Sequence, residues 1–268
     1  MNTNSKVQPS FFTGSALRGT FGHLLKENVC VTPSYDCNHC LYKEACLYYD
    51  YYESSNGYRP FRFNIRLNAK NYNFGLYIFG DNASKVRIII KTLHDMLLSK
   101  RLTDKKLSFP KSKIFLNEKQ VTFDKNGTLL PFETIPHTLT IEKYHRDISI
   151  QLLTPAIIKD ANSKYKKEIT LEDLLTSIYK RKCYFENGKV VHRLDHTPSY
   201  SLASNALMDV KTTRRSDRQD KTIVLEGMVG KLVVMNLDPE SYALLKWGEI
   251  LAVGNKTVFG HGAINIEV

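Results

Sequence analysis

The chain has 268 residues, of which 42% are hydrophobic, and it carries 38 Lys and Arg against 27 Asp and Glu. This length excludes a small disulfide-stabilised protein and allows one large domain or two of ordinary size. No apolar stretch reaches the ~18 residues that cross a bilayer, and the amino-terminal residues lack the apolar core of a secretory signal. We therefore expect a cytoplasmic protein without a membrane span, whose net charge of +11 favours a polyanionic partner such as nucleic acid.

The hydrophobic pattern predicts both helices and strands along the chain. Helices are predicted over residues 14–28, 82–100, 170–183 and 239–247, and strands over residues 61–67, 73–79, 139–153, 221–236 and 257–267. The second helix carries an apolar stripe at helical spacing, which predicts packing on a sheet: Val86, Ile89, Ile90, Leu93 and Leu97. The third helix has a predicted N-cap at Thr170, with Asp173 three residues later.

The first predicted helix has two unlike faces. Large apolar side chains share one side: Leu17, Phe21, Leu24 and Leu25. Small and polar residues share the other: Ser15, Gly19, Gly22, His23 and Lys26. Two interior glycines destabilise a helix by roughly 1 kcal/mol each relative to alanine. Their presence therefore indicates that a phosphate chain or a second helix approaches the backbone closely. If RNA lies on this face, His23 can transfer a proton and Lys26 can stabilise negative charge. If a second helix lies there instead, His23 is an ordinary surface histidine.

A cysteine-rich loop is predicted after this helix, over residues 29–53. Four of the five cysteines fall within seventeen residues and include the C-x2-C spacing of zinc sites: Cys30, Cys37, Cys40 and Cys46. The pattern favours a structural zinc, and the alternative is that the reduced thiols simply pack in the loop. The nearby tyrosines either pack around the loop, which we favour, or stack on bases: Tyr42, Tyr48, Tyr49, Tyr51 and Tyr52. Cys183 lies far from the other four cysteines in the sequence, and we assign no function to it.

Turn-forming residues over 124–138 mark the predicted domain boundary, which divides the chain into residues 1–137 and 138–268. The second domain contains a basic stretch that either binds an RNA backbone or is a solvated loop: Arg214, Arg215, Arg218 and Lys221. Near the carboxyl end, a glycine-rich loop either offers amides to phosphates or forms a plain turn: Gly254, Lys256, Gly260, His261 and Gly262.

Six motifs in order give the chain a family resemblance. They are GSALRGTFGHLL, the cysteine stretch ending in CLYYDYYE, LYIFG, LLTPAIIK, RRSDRQ before LEGMVGKL, and WGEILAVGNKTVFGHG. The chain resembles the CRISPR-associated RAMP-superfamily endoribonucleases that process precursor CRISPR RNA. The resemblance implies an α+β fold of two tandem ferredoxin-like (RRM-like) domains, here with a four-cysteine insertion after the first helix.

The resemblance also implies an activity in antiviral defense. The family cuts repeat RNA without a metal or other cofactor: the ribose 2′-OH attacks the adjacent phosphate and leaves 2′,3′-cyclic phosphate and 5′-OH ends. Matching positions assign general base or acid catalysis to His23 and charge stabilisation to Lys26, with His261 as a rival or partner for His23. By resemblance, Gly260 and Gly262 contact RNA. The charge pattern and the small face of the first helix add further predicted RNA contacts: Arg18, Gly19, Gly22, Arg214, Arg215, Arg218 and Lys256.

One departure from the family pattern carries an expectation of its own, and the variety within the family leaves other functions open. Only about ten largely polar residues precede Phe11, so we expect the leading strand of the first domain to be short or missing. Some family members are inactive RNA-binding subunits of CRISPR effector complexes, which makes such a subunit the alternative function. A third hypothesis is a zinc-dependent module whose cysteine loop docks a partner subunit.

Overall fold

The computed structural model describes residues 1–3, 7–32, 36–54, 57–80, 85–102, 106, 108–141, 143–160, 162–216 and 221–268, with residues 214–216 described by their backbone alone. The chain folds in two units. The first comprises Met1–Phe63 and Asn68–Thr138, and the second comprises Asn64–Leu67 and Leu139–Val268. No helix in the described ranges has the length and hydropathy of a membrane-spanning segment.

The core of the first unit forms where two helices meet a small sheet. The helices are α1 (Gly14–Val29) and α2 (Val86–Leu98), and the sheet pairs β1 (Phe61–Asn64) with β2 (Gly75–Ile78). The apolar side of α1 is buried as predicted, and its Phe21 ring lies edge-on to Phe63 with centroids 5.9 Å apart. The predicted stripe of α2 is buried as well, although residues 82–84 of that predicted helix lie outside the described residues.

The first unit also contains a hairpin that the sequence pattern did not indicate. Strands β3 (Ile114–Leu116) and β4 (Lys119–Val121) pair antiparallel through a two-residue turn at Asn117 and Glu118, whose φ angles are 45° and 71°. Positive φ at both positions matches the right-handed twist of the two strands. Within the described amino-terminal residues, Asn2 forms a single antiparallel bridge with Lys113, so the leading strand is reduced to one bridge.

The second unit is a four-stranded antiparallel sheet with two helices. Its elements follow in the order β5 (Ile148–Ala156), α3 (Leu171–Asn187), β6 (Ser201–Ser216), β7 (Lys221–Met235), α4 (Pro239–Leu251) and β8 (Ile264–Glu267). The strands lie side by side in the order β6-β7-β5-β8. This is the β-α-β-β-α-β arrangement of ferredoxin-like domains.

Both helices of the second unit begin at specified caps. Thr170 accepts a hydrogen bond from the Asp173 amide while the Asp173 carboxylate accepts one from the Thr170 amide, which is the predicted capping box. Asp238 caps α4 and is followed by Pro239 at the first helical position. The two helices approach closely because Gly248 has no side chain: a methyl group there would lie 2.6 Å from Ile178 Cδ1.

Several predicted boundaries are wrong. Strand β5 begins at Ile148 rather than at residue 139, and the stretch predicted as a strand from residue 257 begins with a short helical turn, Thr257–Phe259, before β8. Strand β6 was not predicted because most of its described side chains are exposed on both faces. It is an edge strand that pairs with β7 alone, so its extended conformation depends on that pairing rather than on burial.

Candidate functional site

The exposed face of α1 presents His23. The side chain is exposed, and Gly19, one helical turn earlier, is exposed as well. A methyl group placed on Gly19 would meet no atom of another segment within 4 Å. The helix backbone at Gly19 is therefore open to a ligand chain that reaches His23, as the sequence predicted for these two positions.

Gly22, another predicted residue of this face, is covered by an aromatic ring. Tyr48 and Tyr52 from the cysteine-rich loop stack on each other with ring centroids 5.2 Å apart, and we call them the aromatic pair. A methyl group on Gly22 would lie 2.5 Å from the Tyr52 ring. The prediction that Gly22 contacts RNA is therefore wrong, since this glycine makes room for a tyrosine ring rather than for a phosphate.

Arg18 and Lys26 flank Gly22 and also belong to this packing. The Arg18 guanidinium lies 4.5 Å from the centre of the Tyr52 ring, whose hydroxyl donates to the Arg18 carbonyl at 2.7 Å. The Lys26 ammonium lies 5.0 Å from the centre of the Tyr48 ring and donates to the Cys37 thiol. Both cations are used in cation–π contacts within the unit. Lys26 is half-buried against Tyr48, and Arg18 packs on Tyr52.

Arg101 is a cation near His23 that the sequence did not single out. Its carbonyl accepts a hydrogen bond from Thr20 at 3.3 Å, and its guanidinium donates to Glu27 at 2.6 Å. Thr20 and Glu27 lie before and after His23 on α1, so residue 101 contacts the helix on both sides of the histidine. No sequence signal marks it, because Arg101 lies well separated in the chain, beyond the end of α2, and only folding brings it to α1.

The four clustered cysteines line one cavity of about 860 Å³, together with Lys26 and the tyrosines of the loop. Burial raises the pKa of the Cys37 thiol although the Lys26 ammonium opposes this shift, whereas a hydrogen bond with the Thr32 side chain lowers the pKa of Cys30. Among the described residues, no three of the four thiols lie within 4.8 Å of one another. The thiols thus share a cavity without forming a preassembled tetrahedral site.

The glycine-rich carboxyl loop is a packed element of the second unit. Gly260 and Gly262 are buried with φ angles of 86° and 71°, and a methyl group on Gly262 would lie 1.8 Å from the Val253 carbonyl oxygen. The Gly260 amide donates to Thr257 and the Gly262 amide donates to Pro155, so neither amide is open to a phosphate. The predictions that Gly260 and Gly262 contact RNA are therefore wrong, because both amides already have backbone acceptors and Gly262 allows close approach of backbone to backbone.

His261 is also buried in this loop. The imidazole has no solvent exposure, and its Nε2 atom lies 3.1 Å from the Thr212 hydroxyl. Burial lowers the pKa of His261 to about 4, so the side chain is neutral near pH 7. A buried imidazole cannot touch RNA, and the prediction of a catalytic His261 is wrong.

The remaining predicted RNA contacts lie in the second unit. Lys256 is exposed and has a positive φ of 63° at the start of a helical turn. Arg214 and Arg215 lie near the end of β6, where they pair with Ile223 and Thr222 of β7. Arg218 falls outside the described residues, in the segment that joins these two strands.

Comparisons with known proteins agree with this architecture. A family model described as CRISPR-associated endoribonuclease Cas6 matches residues 150–264, and an N-terminal-domain model matches residues 1–122. No curated protein sequence matches the chain.

Solved structures of low sequence identity share the fold. A Thermus thermophilus Cas6 in a product complex has a TM-score of 0.58 at 13% identity, over 97% of this chain and 96% of that chain. A second Cas6 product complex has a TM-score of 0.50 at 15% identity, over 98% of this chain and 96% of that chain.

The sheet order of the second unit, the family model matched by residues 150–264 and the shared fold make this chain similar to the CRISPR-associated Cas6 proteins.

Proposed function

We propose that this protein cleaves CRISPR precursor RNA within its repeats and thereby produces mature guide RNA. The observation that carries the proposal is the open face of α1, where His23 is exposed beside a glycine with free space above it. The match of residues 150–264 to the Cas6 family model indicates the substrate class, and the net charge of +11 favours association with a phosphodiester chain.

The chemistry that this face supports is transesterification without a metal. The ribose 2′-oxygen attacks the adjacent phosphorus as it loses its proton, and the bond from phosphorus to the 5′-oxygen breaks as that oxygen gains a proton. The products are a 2′,3′-cyclic phosphate and a 5′-OH, and no water is consumed. An imidazole can remove the first proton or supply the second, which assigns general base or acid catalysis to His23.

Negative charge on the phosphate needs a cation close to His23. Lys26 is directed toward Tyr48 and Cys37, so we assign this role to Arg101, whose guanidinium reaches α1 one turn beyond His23. When RNA binds, a phosphate replaces the Glu27 carboxylate as an Arg101 partner, which an exposed ion pair permits at low cost. Exposed Lys256 and the basic end of the β6–β7 hairpin, with Arg214, Arg215 and Arg218, are proposed as further RNA contacts of the second unit.

Replacement of His23 tests this proposal. His23→Ala protein should bind repeat RNA with wild-type affinity and cleave it at least ~100-fold more slowly, which is the usual loss for a general acid or base. The matched control is His39→Ala, since His39 is another exposed histidine of the first unit whose ring bonds only locally to Asp36 at 2.6 Å. Reactions run in excess EDTA, and the product ends are identified by phosphatase treatment and mass spectrometry.

The outcomes separate the two candidate functions. Cleavage by His23→Ala at the wild-type rate would refute the catalytic assignment. Tight binding of the repeat with no cleavage by the wild-type protein would instead identify an inactive RNA-binding subunit of a CRISPR effector complex.

We also propose a structural zinc on Cys30, Cys37, Cys40 and Cys46. Thiolates are the donors that zinc prefers in structural sites, and all four line the same cavity. Because no three thiols lie within 4.8 Å of one another, the loop must draw inward around the ion. Elemental analysis should find one zinc per chain in the wild-type protein and in Cys183→Ser, and well under one in Cys40→Ser. If removal of the zinc by a chelator abolishes assembly with a partner subunit while RNA binding is retained, the cysteine-rich loop docks that subunit.

A further inference from the structure

Three side chains of the second unit converge outside the proposed RNA site. Asp195 and His196 lie in the segment between α3 and β6, and Glu240 lies in the first turn of α4. One ligand atom from each residue lies within 4.8 Å of those of the other two. We call these residues the Asp195–His196–Glu240 cluster.

Hydrogen bonds fix the orientation of the His196 ring. Its Nε2 atom lies 3.0 Å from the hydroxyl oxygen of the fully buried Ser241. The Ser241 backbone amide donates to the Asp238 carboxylate at 2.8 Å, which holds the hydroxyl beside the imidazole. Consequently the other ring nitrogen, Nδ1, is directed at the two carboxylates with either a lone pair or a second proton.

The distances around Nδ1 fit ligands around a metal ion, and the shorter one also fits a long hydrogen bond. Nδ1 lies 3.3 Å from Asp195 Oδ1 and 3.6 Å from Glu240 Oε1. A hydrogen bond between an imidazolium and a carboxylate is shorter, ~2.7–2.9 Å. Two ligands on one tetrahedral zinc at its usual bond lengths lie ~3.4 Å apart. A neutral Nδ1 facing two carboxylates without a cation would be repulsive, so this position holds either a second proton on the ring or a small cation between the three side chains.

The surrounding residues support the same arrangement. Tyr179 of α3 donates to the second Asp195 oxygen at 2.7 Å, which leaves Oδ1 to face the cluster. Outer hydrogen bonds of this kind, from Tyr179 to a carboxylate ligand and from His196 to Ser241, are typical of metal sites. The His196 side chain is 13% exposed while Glu240 is 65% exposed, so water has access for a fourth ligand.

We propose that the Asp195–His196–Glu240 cluster binds a divalent transition-metal ion through one imidazole nitrogen and two carboxylate oxygens. Since the ligands come from the segment before β6 and from α4, and Tyr179 adds α3, the ion joins three parts of the second unit. The site would be structural and would take no part in RNA cleavage.

Titration with Mn²⁺ tests this proposal, because Mn²⁺ prefers oxygen and nitrogen ligands and therefore avoids the thiols of the first unit. EDTA-treated full-length protein without RNA is titrated while the electron paramagnetic resonance signal of free Mn²⁺ is recorded. We expect one Mn²⁺ per chain, and an affinity lower by tenfold or more in Glu240→Gln and in His196→Gln. Glu168→Gln is the matched control, since Glu168 is an exposed carboxylate of the same unit outside the cluster.

Two results would overturn the proposal. The first is that the wild-type protein binds no Mn²⁺, and the second is that Glu240→Gln binds Mn²⁺ as tightly as Glu168→Gln does. In the first case the cluster is held by a doubly protonated His196, which nitrogen chemical shifts of the imidazole would display directly. Glu240 is exposed at the start of α4, so its replacement leaves the fold intact and the comparison valid.

Discussion

Acidification should destabilise the protein through His261. In the folded chain, burial lowers the pKa of this imidazole from 6.5 to about 4. Below pH 6.5 the unfolded chain therefore binds a proton that the folded chain excludes until the pH approaches 4. The free energy of unfolding is unaffected above pH 6.5 and falls between pH 6.5 and pH 4, by a total of about 3 kcal/mol. About 2 kcal/mol of this loss occurs between pH 7.5 and pH 5.

Urea unfolding at pH 7.5 and pH 5 measures this effect when the wild-type protein is compared with His261→Gln. Glutamine can donate its amide proton to Thr212 but does not titrate, so all other pH effects cancel between the two proteins. We expect the stability advantage of the wild type to shrink by about 2 kcal/mol on acidification. An advantage that stays constant with pH would refute the argument. Should His261→Gln not fold, the carbon chemical shifts of His261 in the wild-type protein give its titration midpoint, and a midpoint near 6.5 would contradict the burial effect.

Two further predictions concern packing and capping. Gly22→Ala should lower the free energy of unfolding by about 1–2 kcal/mol despite better helix propensity, because the new methyl group would lie 2.5 Å from the Tyr52 ring. Urea unfolding checks this, and a stabilised variant would show that the aromatic pair does not cover α1. Thr170→Ala should cost about 1 kcal/mol through loss of the N-cap of α3, whereas Thr170→Ser should retain it. Equal stability of the alanine and serine variants would contradict the role of the cap.

Elements with strong local signals could be predicted from the sequence. The apolar side of α1 and the stripe of α2 follow from helical periodicity, and both are buried. The capping box of α3 follows from Thr170 and Asp173. In each case residues close together in the chain determine the outcome, so spacing alone was sufficient.

Features that depend on distant residues could not be predicted. Gly22 appeared to be part of an open face because nothing in the sequence shows that Tyr52 covers it. The carboxyl-terminal glycines appeared to offer amides to a ligand, but those of Gly260 and Gly262 donate to Thr257 and Pro155. Arg181 lies buried within α3 and donates to the carbonyls of Leu251 and Ala252 at the end of α4, a partnership without any sequence pattern.

Gly19 of α1 allows a direct test of where RNA lies. Gly19→Leu adds a side chain to the open position, where even a methyl group would meet no atom of another segment within 4 Å. The variant should be as stable as the wild type, or more stable by up to about 1 kcal/mol because leucine is the better helix former. If RNA lies along this face beside His23, Gly19→Leu should lose repeat affinity and cleavage while its unfolding curve shows an intact fold. A stable Gly19→Leu protein that cleaves repeat RNA at the wild-type rate would contradict the placement of RNA on α1.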